Sequence, residues 1–206
     1  MKTFLVTFLI LVLTIFSFPQ NEESSVQFGF GVNLSREVPT FTSNEDMEII
    51  TLPIDLANFS FVIKGKNFRI EPSLGYFSLS NEGSIDQYNY DYSASNFRIG
   101  AVIAYNNSSF ESMNFYYGID IGVILSSISS SSNIPNSTST DMSKTDFFIG
   151  PAIGGEYMFN KYFSLGGEIN LNYVSVGNYS DGEDESDTTT WLISTRGAVY
   201  VRWYVN

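Results

Sequence analysis

The sequence contains no cysteine and no histidine. Without cysteine there is no disulfide framework and no thiolate nucleophile. Without histidine, Ser–His and Cys–His nucleophile pairs and histidine-ligated metals are excluded, so any acid–base chemistry rests on carboxylates. Charge of any kind is scarce, at 16% of the 206 residues against about 25% in average soluble proteins. Basic residues are scarcest, 10 against 22 acidic ones, and the net charge of −12 argues against nucleic acid as a partner. After the first twenty residues no run of 18 apolar residues occurs and helical periodicity is missing, which leaves no candidate transmembrane helix.

What is present is aromatic and alternating. Phe and Tyr number 18 and 13, beside 2 Trp. Residues 1–20, "MKTFLVTFLILVLTIFSFPQ", carry one early Lys and an apolar run ending at Pro19, which reads as a cleaved signal peptide; the mature domain is then 21–206. Beyond it, segments of about ten residues alternate apolar and polar, the period of strands. The reading finds eight of them, from "VQFGFGVNL" at residue 26 to "AVYVRWYVN" at the end. A phase slip in "IITLPIDLANFSFVI" predicts a β-bulge at Ala57–Asn58. Connections alternate long (near 35–46, 79–94, 126–144 and 177–190) and short (near 64–67, 106–112 and 160–161). That is the pattern of an all-β, eight-stranded antiparallel up-and-down barrel with loops at one end and tight turns at the other.

Charge decides which face meets which solvent. Arg69, Glu71, Arg98, Asp120, Glu156, Glu168, Arg196 and Arg202 fall in the phase opposite to the bulky apolar residues, and nine glycines share that phase. The reading places no Lys inside a strand. Arg, Glu and Gly together suit a cramped interior where charges pair, with the Phe, Ile, Leu and Val face turned to lipid. The eight residues form a candidate interior charge network, whose expected role is stabilising. Tyr76, Tyr105, Tyr157, Tyr173 and Trp203 fall near strand ends, as interface girdles do. A soluble exported barrel of lipocalin type, binding a small hydrophobic ligand, would reverse the two faces and is the alternative.

The hairpin "FIGPAIGGEYMFNKYFSLGGEINLNY" (148–173) and the tail "VYVRWYVN" carry a resemblance. The chain resembles the small eight-stranded outer-membrane β-barrel proteins of Gram-negative bacteria, the OmpA-type and OmpX-type barrels, over roughly residues 25–206. The resemblance implies a transmembrane barrel in the bacterial outer membrane, contact with outer-membrane lipid and lipopolysaccharide, and recognition of the C-terminal strand by the barrel assembly machinery. It also implies a structural or surface-interaction role without a large open pore. The chain departs from the family at its end, which is Val205–Asn206 where Phe is usual.

Three polar stretches remain. "SDGEDESD" sets Asp181, Glu183, Glu185 and Asp187 at alternate positions, a weak Ca²⁺ candidate that lacks the ligand order of an EF-hand and reads first as a solvated acidic loop. "SSISSSSNIPNSTSTDMS" (126–143) reads as a mobile surface loop. "DQYNYDYS" reads as the upper aromatic girdle or as a recognition surface. No spacing points to catalysis or to a cofactor, and no surface partner can be named.

Overall fold

The computed structural model describes residues 26–42, 54–85, 88–110, 112–133, 139–177 and 190–205. Eight strands follow one another: β1 Gln27–Thr42, β2 Ile54–Lys64, β3 Phe68–Ile85, β4 Tyr88–Phe110, β5 Met113–Ser132, β6 Thr140–Asn160, β7 Phe163–Val176 and β8 Thr190–Val205. Each pairs antiparallel with its sequence neighbours, and β1 pairs with β8, which closes the barrel and removes both sheet edges. The strands form where β-branched and aromatic residues alternate with small or polar ones, so each presents two unlike faces.

A hydrogen-bonded row that starts at Phe28 steps through Ile63, Ile70, Ile103, Ile119, Pro151, Leu171 and Thr195 and returns at Val38, ten residues along β1. That stagger over eight strands gives a tilt of about 40° and a Cα cylinder roughly 16 Å across, which side chains fill. On β5 the outward apolar residues run from Phe115 to Leu125, about 25 Å of height at that tilt.

The apolar face points outward on every strand, with Leu34, Phe59, Ile153 and Ile169 among its most exposed members. Arginines, carboxylates and asparagines fill the inside. A lipocalin-like barrel requires the reverse, so that alternative is overturned. Two aromatic zones bound the belt. Near the turns, Trp203 lies between Phe30 and Phe163 with ring centroids 5.4 and 5.7 Å away. Near the loops, Tyr173 stacks on Trp191 at 5.9 Å.

Three expectations need correction. The β1–β2 register is unbroken from Ile54 to Lys64, so no bulge occurs at Ala57–Asn58; the irregularities fall at Pro39/Phe41, Asn107/Phe110 and Met158/Asn160. Most of the residues read as long loops are strand: β3 continues to Ile85, β4 begins at Tyr88, β5 continues to Ser132 and β6 begins at Thr140. Backbone pairing carries on past the belt because it needs no apolar alternation, and Ser, Thr and Tyr are tolerated by a ladder. Lysine is also present inside: Lys64 ends β2 buried, and Lys144 lies within β6. The leader 1–20 and the acidic set Asp181, Glu183, Glu185 and Asp187 lie outside the described residues.

Candidate functional site: a charged interior beneath a two-faced sheet

All eight sequence-selected charges are buried inside the barrel, Arg69 and Glu156 at 0% and 1% exposure. Strand parity sends them there, and register sorts them into two clusters. The cluster nearer the turns centres on Glu156 of β6. Its Oε1 accepts from Lys64 Nζ (3.0 Å) and Arg69 Nη1 (3.2 Å), and its Oε2 from Tyr204 Oη (2.6 Å), Ser164 Oγ (3.2 Å) and Arg202 Nη1 (3.3 Å). Glu71 accepts from Arg69 Nε at 3.0 Å and Arg202 Nη2 at 2.6 Å. The Arg202 guanidinium lies 3.2 Å from the Tyr200 ring centroid and that of Arg69 4.3 Å from Tyr116.

The second cluster lies nearer the loops. Arg98 donates to Glu37 (2.7 Å) and Asp120 (2.9 Å), while Arg196 reaches Asp120 at 3.6 Å and Glu168 at 3.7 Å. Asn170 donates to Asp120 at 3.2 Å, and Ser194 donates to Glu37. Tyr116 ties the clusters together by donating to Glu168 at 2.8 Å. Across both, five cations (Lys64, Arg69, Arg98, Arg196, Arg202) meet five carboxylates (Glu37, Glu71, Asp120, Glu156, Glu168). The set is balanced, and every one of these charges lies in an ion pair.

Above the second cluster the interior turns apolar. Phe148 is fully buried with Val174 and Leu192, flanked by Ile124 and Val176, and Arg98 stacks on the Phe148 ring at 3.6 Å. The inward glycines make room for rings: a Cβ on Gly154 would lie 2.2 Å from Tyr116, and one on Gly166 2.4 Å from Tyr200. Sequence reading missed Glu37 and Lys64, which it assigned to connections, and Tyr116, whose parity with Asp120 on β5 was the available signal; Tyr200 and Tyr204 share the phase of Arg202, as read from the tail.

Above the belt the polarity of β3 to β6 inverts. Outward positions become Ser78, Ser80, Ser93, Ser95, Ser127, Ser129, Ser131 and Ser143, and Ser95 and Ser127 bond hydroxyl to hydroxyl at 2.9 Å. Inward positions become Phe77, Tyr90, Tyr92, Ala94, Ile128 and Met142. This sheet stands about 18 Å above the belt, measured as the seven residues from Leu125 to Ser132. Tyr90 and Tyr92 are half-buried on its inner side, so "DQYNYDYS" is no outward girdle; β4 parity runs unbroken from Arg98 to Tyr90 and sends them inward. An outward face that changes from Phe and Ile to Ser marks where the surrounding solvent changes.

Among the described residues no group of three or more acidic side chains is placed to hold a metal ion. No family model and no curated protein matches the chain. Solved structures do match in fold. Ail of Yersinia pestis, in complex with the heparin analogue sucrose octasulfate, aligns with TM-score 0.50 and 14% identity over 85% of this chain and 97% of that one. Neisserial surface protein A aligns with TM-score 0.44 and 13% identity over 87% and 97%. The outer membrane protein OprG of Pseudomonas aeruginosa aligns with TM-score 0.45 and 10% identity over 87% and 96%.

Proposed function

We propose, from a fold shared with eight-stranded outer-membrane barrels and an apolar belt about 25 Å tall, that the chain is a Gram-negative outer-membrane protein. Residues 1–20 would direct its export and be removed. Its C-terminal strand, Thr190–Val205, would be the segment read by the barrel assembly machinery. Its role is structural or surface-interacting, without a large open pore and without enzymatic chemistry. One observation carries this: a charge-balanced interior, every charge paired, lies beneath the apolar cap of Phe148, Val174 and Leu192. Such an interior supports a plugged barrel and leaves the sheet of β3 to β6 as the part that meets partners.

Charge distribution narrows those partners. At the loop end the described strands carry Glu82, Asp91 and Asp141, and the segments joining them add Glu45, Asp46, Glu48, Asp86 and the acids of 181–187. Lys144 is the only basic residue there, and it is paired with Asp146 at 3.0 Å. A polyanion such as the heparin analogue bound by Ail has the wrong sign for this surface. Cationic partners, and divalent cations shared with neighbouring lipopolysaccharide, have the right one.

The test is refolded protein in a planar bilayer together with surface labelling of intact cells. The chain has no native cysteine, so Ser129→Cys on the outward face gives a unique handle. Expected are labelling by a membrane-impermeant maleimide on whole cells and no porin-sized conductance steps. Labelling only after lysis, or large regular steps, would refute the reading.

A further inference from the structure

Three glycines face outward, where ring packing inside the barrel cannot explain them. Gly155, Gly167 and Gly197 lie on neighbouring strands; Gly155 pairs with Gly167, and Gly197 pairs with Arg36. A Cβ on Gly197 would meet nothing within 4 Å, and one on Gly167 would meet only Ala198 O at 3.4 Å. The chain itself does not require glycine at either position, in contrast with Gly154 and Gly166 inside.

The missing side chains leave a groove of about 940 Å³ on the outward face. Its walls are Leu34, Ile153 and Ile169, exposed by 70%, 66% and 64%. It crosses from β5 to β2, about 24 Å at the usual strand spacing. Strand tilt makes it climb toward the loop end, where Arg36 lines it. Among the residues whose side chains are described, Arg36 is the one charged side chain on the outward face of the belt; Asp55 stands opposite it in the β1–β2 register. It sits just below the upper edge of the belt, within reach of the interface for a long side chain.

We propose that this groove holds one acyl chain of lipopolysaccharide, and that Arg36 takes a phosphate of its lipid A headgroup. This rests on the outer-membrane reading above, which places the loop end, and so Arg36, in the outer leaflet. An arginine at the end of an apolar groove favours an anion, and its planar fork matches a phosphate bidentately. The apolar groove beneath it supplies the site for the chain attached to that anion.

The experiment uses the refolded mature chain in detergent, with lipid A, dephosphorylated lipid A and phosphatidylglycerol as three probes. The midpoint of thermal loss of the compact gel band is followed as each is titrated. Lipid A should raise the midpoint, Arg36→Gln should weaken the response about tenfold, and Gly197→Leu should abolish it while leaving the lipid-free midpoint unchanged. Equal responses of the parent, Arg36→Gln and Gly197→Leu would overturn the site. An equal response to dephosphorylated lipid A would overturn the phosphate contact, and an equal response to phosphatidylglycerol would overturn the assignment to lipid A. A parent chain that forms no heat-resistant band sinks the membrane reading itself, whereas an intact band blind to lipid A sinks only the groove.

Discussion

Replacing Glu156 with Gln tests the interior network at its centre. The carboxylate takes bonds from Lys64, Arg69 and Arg202 at 3.0 to 3.3 Å, plus those from Tyr204 and Ser164. Gln keeps the volume but removes the charge, and it turns one acceptor oxygen into a donor amide facing other donors. A hydrogen bond to a charged group is worth about 1.5–3 kcal/mol and a neutral one about 0.5–1.5, so three cationic donors lose roughly 3–5 kcal/mol together. Breaking a buried pair by removing one partner gives the same range, about 3–5 kcal/mol. The turn-end cluster holds Lys64, Arg69 and Arg202 against Glu71 and Glu156, so the change leaves three cations facing one carboxylate. Adding Lys64→Met returns the cluster to its original excess of one positive charge and should recover about half the loss. The measurement is urea unfolding of the barrel in lipid vesicles, followed by the fluorescence of Trp191 and Trp203, the two tryptophans. A Glu156→Gln variant within about 0.5 kcal/mol of the parent, or a double variant no better than the single one, would refute a load carried by paired charge.

Other substitutions probe the remaining layers. Ile119→Arg, outward near mid-belt, should cost about 2–4 kcal/mol in vesicles, whereas Ser129→Arg on the same face of the same strand should cost close to nothing, because only the first meets lipid. Gly154→Val drives a side chain into the Tyr116 ring and breaks its bond to Glu168, so unfolding should be easier by about 2–3 kcal/mol. Phe148→Ala opens the apolar cap and removes the ring on which Arg98 stacks; about 3–5 kcal/mol of stability should go, and single-channel recording should detect a small leak absent from the parent.

The sequence by itself determined the strand number and the assignment of faces. Those depend on a period of two, which shows in any strand lying between unlike solvents: Arg202 between Val201 and Trp203 already tells inside from outside. Connections were misjudged where that signal vanishes. Past Leu125 the outward face of β5 is all Ser and the inward face carries only Ile128 among serines, so Ser follows Ser and a paired strand looks like a loop. The partners inside were also illegible. That Glu156 on β6 gathers Lys64 from β2, Arg69 from β3 and Arg202 from β8 follows from closure and from a stagger of ten residues, which only the closed barrel decides. The same tilt carries Gly155, Gly167 and Gly197, scattered along the chain, into one slanting groove that ends at Arg36. Parity is a local property of the backbone, but register around a closed sheet is a property of all eight strands together.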